Sequence, residues 1–106
     1  MIEQPNLNYI KQLADDSEAF EQKLIAVIQR EFPEERTIFL ENFKNKKFSQ
    51  AAENVHKLKH KIGMLGFDDG YELTVAFEED LKSNITQLYP KFLLILEAID
   101  KFLKTL

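Results

Sequence analysis

The chain holds two histidines and no cysteine, so its nucleophilic and metal-binding options narrow to His56 and His60. They lie four residues apart within His56-Lys57-Leu58-Lys59-His60-Lys61-Ile62-Gly63-Met64-Leu65-Gly66, about one turn of a helix. A largely unprotonated imidazole is a nucleophile toward phosphorus, and its phosphoramidate is labile enough to pass the group on. Phosphoryl transfer asks a protein mainly for in-line positioning and for positive charge near the equatorial oxygens. Lysines stand beside both rings. The two rings with Glu53 as a third ligand also have the spacing of a metal chelate, but Lys57, Lys59 and Lys61 crowd that position with positive charge. Two merely solvated histidines, a nucleic-acid contact through the lysines and a partner-binding patch without phosphoryl chemistry are the other readings the spacing allows.

A helix must hold these rings. Ala51, Val55, Leu58, Ile62 and Leu65 recur at alternating intervals of four and three, one apolar stripe of an amphipathic helix. Ser49, Ala52, Glu53, His56, Lys59, His60 and Gly63 fall on the other side. With about 100° per residue, Gly63 lies about 20° from His56, Ala52 and His60 about 40° to either side, and Lys59 and Glu53 about 60°. The small residues Ala52 and Gly63 leave His56 in a shallow clearing that another protein's surface can approach. Lys59, one turn on, can meet an anion carried on the ring.

The bulk numbers limit what surrounds this helix. A chain of 106 residues reads as one domain, 1–106, with a single core and little room for its own nucleotide pocket. The absence of cysteine fits a reducing compartment. No apolar run is long enough to span a membrane, and Met1-Ile2-Glu3-Gln4-Pro5 lacks the pattern of a targeting signal, so a cytoplasmic location is expected. The net charge of −4 argues against nucleic-acid binding. Between Asn42 and Lys61, however, six lysines face the single acid Glu53, which leaves −9 for the remainder. A basic patch on an acidic protein suits an acidic partner or a phosphate.

Periodicity supplies the other elements. Leu7, Ile10 and Leu13 predict a short helix over Asn6–Ala14. Asp15 and Glu18 have capping-box spacing, with Ser17 as a competing cap. A second helix follows through Phe20, Leu24, Val27, Ile28, Ile38, Phe39 and Phe43, kinked at Pro33. Asn45-Lys46-Lys47 is a short connection, and Ser49 is a chemically suitable cap for the histidine helix, which ends at Gly66. Asp69 and Glu72 then cap a fourth helix lined by Leu73, Ala76, Phe77, Leu81 and Ile85. A fifth starts around Thr86–Pro90 and carries Phe92, Leu93, Leu96, Ile99, Leu103 and Leu106. No segment alternates like a strand. The expected fold is all-α, an antiparallel four-helix bundle with a short additional N-terminal helix, its phenylalanines mostly in the core.

His56, Leu58 and Lys59 read His-x-Leu-Lys, and Leu65-Gly66 follow nine and ten residues after the histidine. This resembles the signature of histidine-containing phosphotransfer (HPt) domains of two-component phosphorelays. The short first helix, the long second one, the polar turn before the histidine helix, Phe48 eight residues ahead of the histidine and Phe77-Glu78 on the next helix are similar to the family layout. The resemblance covers essentially the whole chain. It implies that His56 takes a phosphoryl group from a receiver-domain aspartate and passes it to another, with Lys59 steadying the phosphoryl oxygens. Ala52, Glu53, Lys57, His60 and Gly63 would form the face the receiver meets. It also implies a monomeric phosphocarrier with no kinase or ATPase site and no cofactor of its own, Mg²⁺ coming with the receiver. A non-catalytic helical adaptor binding a receiver through the same patch is the rival reading. Two positions depart from the family pattern: His60 stands where glycine is usual, and Lys47 where many relatives carry a capping acid.

Overall fold

The computed structural model describes residues 3–106; Met1 and Ile2, the start of the stretch read for a targeting signal, lie outside the described residues. Five helices follow in order: α1 (Asn8–Ala14), α2 (Glu18–Lys44), α3 (Phe48–Met64), α4 (Asp68–Lys82) and α5 (Tyr89–Lys104). No strand occurs among the described residues. Helix α3 packs between α2 and α4, α5 closes the bundle against α4 and α2, and α1 rests on α2. The connections between consecutive helices are short, as in an antiparallel bundle.

The expected stripe of α3 is the centre of the core. Ala51, Val55, Leu58, Ile62 and Leu65 are all 0% exposed, and burying each leucine or isoleucine contributes about 1.5–3 kcal/mol. From α2, Phe39 sets its ring edge-on to Phe77 at 6.1 Å and to Phe92 at 5.2 Å, while Phe43 stacks on Tyr89. Of the phenylalanines, only Phe20 is exposed.

The other helices bury somewhat different faces from those expected. Helix α2 buries Ile25, Ile28, Phe32 and Phe39 and leaves Phe20, Val27 and Ile38 in solvent. At about 100° per residue the exposed three lie about 120° round the helix from the buried four, so α2 carries two apolar stripes and the bundle covers one. In α4, Thr74 and Glu78 are buried while Ala76 is exposed, and Ile85 lies beyond the helix end and is exposed. Ile95 joins the buried stripe of α5, whereas Leu106, like Leu13 of α1, is exposed.

Local chemistry explains the boundaries. Ser17 caps α2 by accepting from the Phe20 N–H at 3.2 Å, while Asp15 closes α1 in the left-handed region at φ 47°; the expected Asp15 box does not form. Helix α1 begins after Asn6, whose Oδ1 accepts from the Asn8 N–H at 3.0 Å. Helix α2 continues through Pro33 as one element. Helix α3 starts at Phe48 behind Lys47 with no side-chain cap, and Ser49 falls inside it. Gly66 ends its last turn at φ +68°, a conformation that favours glycine.

The start of α4, which carries half of the site described next, is capped from the far end of the chain. The Asp69 and Gly70 N–H groups donate to the Glu3 carboxylate at 2.9 and 3.1 Å, in place of the expected Asp69–Glu72 box. Gly70 also sits against the buried Phe67 ring, where a Cβ would overlap Cδ1 and lie 2.7 Å from Cε1. Gly70→Ala is therefore expected to cost about 1–3 kcal/mol from overpacking, more than the roughly 1 kcal/mol that alanine gains in a helix. Urea denaturation checks this; a midpoint raised above wild type would show that Phe67 yields freely.

Candidate functional site

Helices α3 and α4 face one another over a charged cluster. Glu78 of α4 is buried, at 7% exposure, which follows from its place beside Phe77 and Leu81 on the inward face. Three cationic or proton-bearing groups meet its carboxylate. His56 Nδ1 lies 3.1 Å from Oε2, Lys59 Nζ 3.0 Å from Oε1, and Lys82 Nζ 3.7 Å from Oε2. A carboxylate only accepts, so the Nδ1 of His56 carries a proton in this contact, and in the neutral ring the lone pair is then on Nε2. The ring itself is exposed. The arrangement is an exposed imidazole held at Nδ1 by a buried acid, the logic by which an aspartate orients a catalytic histidine.

Burial alone would push the Glu78 carboxyl up, but the Lys59 ammonium and the His56 imidazole outweigh it and hold the group below its ordinary value. Asp100, which ties α5 to α2 through Arg36 at 3.0 Å, behaves alike: burial raises it, while Lys104 and Arg36 lower it further than burial raises it. Both carboxyls bind protons less readily in the folded than in the unfolded chain. Their stabilisation is complete above the ordinary carboxylate values, near 4.5 and 3.8, and is lost as pH falls through the depressed ones. Thermal melts are expected to show a flat plateau from neutral pH down to that range and a falling acid limb below it. A melting temperature that rises on acidification would contradict the two assignments.

The site residues expected from sequence are divided by the structure. Ala52, Glu53, His56 and Lys57 share with Glu78 and Lys82 an open cleft of about 790 Å³. Ala52 is nevertheless buried and belongs to the floor rather than to the exposed side, because α4 packs over that edge of α3. Lys59 does not stand free beside the ring: Glu78 draws it inward to 15% side-chain exposure, and it is not among the residues lining the cleft. Gly63 leaves no clearing, since the Tyr71 ring fills that space within 3.1 Å of where a Cβ would be. His60 and Gly63 line a second cleft with Tyr9 and Tyr71. His60 still touches the site, its ring edge to face with that of His56 at 5.0 Å.

Part of the linear basic patch is neutralised in space. Lys57 reaches Glu35 at 4.0 Å, Lys59 reaches Glu78, and Lys61 reaches Glu31 at 3.1 Å. Lys44, Lys46 and Lys47 remain exposed at the α2–α3 corner. Sequence reasoning missed Glu78 and Lys82 as members of the site. Glu78 was visible only as part of a layout, and no spacing rule links it to a ring 22 residues earlier. No cluster of three His, Cys, Asp or Glu side chains suited to a metal occurs among the described residues. Among them, too, no helix is long and apolar enough to cross a membrane.

Against known families, the model described as the Hpt domain matches residues 8–105. Neither curated proteins nor solved structures gave a significant match.

Proposed function

Because the chain belongs to the Hpt domain family, whose members serve phosphotransfer in two-component phosphorelays and interact with receiver domains, we propose that His56 Nε2 is its phosphoryl acceptor and donor. The observation that carries this reading is the Nδ1 contact to Glu78. In the forward step the Nε2 lone pair forms the N–P bond as the O–P bond of a receiver's aspartyl phosphate breaks, returning a free carboxylate. No proton leaves the ring. The Nδ1 proton stays in place, the imidazole gains a positive charge, and ionised Glu78 faces that charge from a buried position. The same contact permits the reverse step, in which a second receiver's aspartate attacks phosphorus and the neutral ring leaves.

Lys59 supports the step from below. It keeps Glu78 ionised and oriented, and so acts as a positioning residue. Glu53 and Lys57 at the rim, and His60 with Gly63 and Tyr71 on the other flank, form the face offered to the receiver. The domain acts as a cytoplasmic monomer with no cofactor of its own, Mg²⁺ being supplied by the receiver's acidic pocket. The experiment is incubation with a phosphorylated receiver, followed by mapping of acid-labile, alkali-stable label. Phosphate on residue 56 with matching loss from the receiver is the expected result. Stable binding of the receiver with no phosphohistidine would replace the reading with a non-catalytic adaptor.

A further inference from the structure

We infer that Lys82, on α4, is the cation that binds the phosphoryl oxygens at His56, with Lys59 kept out of that contact by its pairing to Glu78. The inference deepens the proposed function and rests on its assignment of His56. Three lysines line the cleft of His56 or contact Glu78, and their environments differ. Lys59 is 15% exposed, lies 3.0 Å from Glu78 Oε1, and does not line the cleft. Taking it to an outer anion would leave a buried carboxylate with its main countercharge removed, a costly change. Lys57 lines the cleft but is the neighbour of His56 in sequence, about 100° round the helix, and leans toward Glu35 on α2.

Lys82 meets both conditions. Its side chain is 54% exposed and lines the same cleft as His56 and Glu78. Its Nζ approaches Glu78 Oε2, the oxygen that also holds His56 Nδ1, at only 3.7 Å. Its closer contact, Glu79 at 3.1 Å, is a solvent-exposed pair, and such pairs contribute little. The ammonium is therefore held in the same cleft as the ring by weak contacts and is free to turn outward. When a dianionic group arrives on Nε2, the cleft gains charge that Glu78 cannot balance, and Lys82 is the cation able to move to it without uncovering a buried acid.

The test uses the full chain as wild type, Lys82→Gln, Lys82→Arg and Lys59→Gln, with folding checked by circular dichroism. Inorganic phosphate is titrated while the His56 ring resonances are followed by NMR. Phosphoramidate, which needs no receiver, is then used to phosphorylate the protein, and phosphohistidine lifetime is measured. Lys82→Gln is expected to weaken phosphate binding and shorten the lifetime about three- to tenfold, and Lys82→Arg to restore both. Unchanged binding in Lys82→Gln, a loss confined to Lys59→Gln, or no phosphate-dependent shift at His56 in the wild type overturns the inference. If phosphate binding depends on Lys82 but phosphoramidate leaves His56 unlabelled, the anion site stands and the phosphoacceptor reading fails.

Discussion

Replacing His56 with glutamine is expected to reduce phosphoryl acceptance from a receiver to background, a loss of about a thousandfold or more, equivalent to about 4 kcal/mol in the barrier. The fold should survive, because the ring is exposed and its one polar contact can be made by a glutamine amide. The informative comparison is His60→Gln. His60 sits one turn on, with its ring 5.0 Å from that of His56, and has no carboxylate partner to set its tautomer among the contacts of the described residues. Acceptance in that variant should remain within a few-fold of wild type, any change reflecting how the receiver seats on the flank that His60 shares with Tyr9 and Tyr71. Radiolabel transfer from a phosphorylated receiver measures both variants in one experiment. Label at wild-type level on the His56 variant would remove the nucleophile from its assigned place.

Glu78→Ala should produce the second largest effect, and it should do so in two measurements at once. Losing the carboxylate releases the constraint on Nδ1, so the ring redistributes between tautomers and the charge formed on N–P bond formation loses its counterion. A slowing of about 10- to 100-fold is expected, smaller than for the deeply buried acid of a catalytic triad because this ring is open to water. Lys59 would be left with 15% exposure and no partner, and the fold is expected to lose about 1–3 kcal/mol. Glu78→Gln separates the two roles. Its amide oxygen can still accept from Nδ1, so the tautomer should persist in nitrogen NMR while the electrostatic part of the rate is lost. Equal transfer rates in wild type, Gln and Ala variants would reduce Glu78 to a structural residue.

How much of this was legible in the sequence depends on how local the physics is. The α3 stripe was readable because five apolar residues recur at helical spacing and all five reach the core. His56 stood out for the same reason, as a ring at a fixed angle from that stripe. Helix α2 was harder: it carries two apolar stripes, and periodicity cannot say which one the bundle covers. Glu78 was harder still. A polar residue on a predicted helix is ordinarily assigned to solvent, and only the packing of α4 on α3 reveals it as a buried acid in contact with His56 and Lys59. The charge count failed for a related reason. Summing lysines along the chain predicted a basic face, but Glu31, Glu35 and Glu78 come from other helices to meet three of them.

The caps show the same division. Ser17 over Asp15 was a choice between neighbours, whereas Glu3 at the head of α4 joins residues 66 positions apart. Joining distant residues carries a loop-closure cost that grows with the intervening length, and the amides of Asp69 and Gly70 lack this partner until the chain's beginning has returned to the folded bundle. The first turn of α4 thus depends on a contact made across the fold and not within its own helix. The helix that brings Glu78 and Lys82 to the imidazole is latched at its first turn by Glu3.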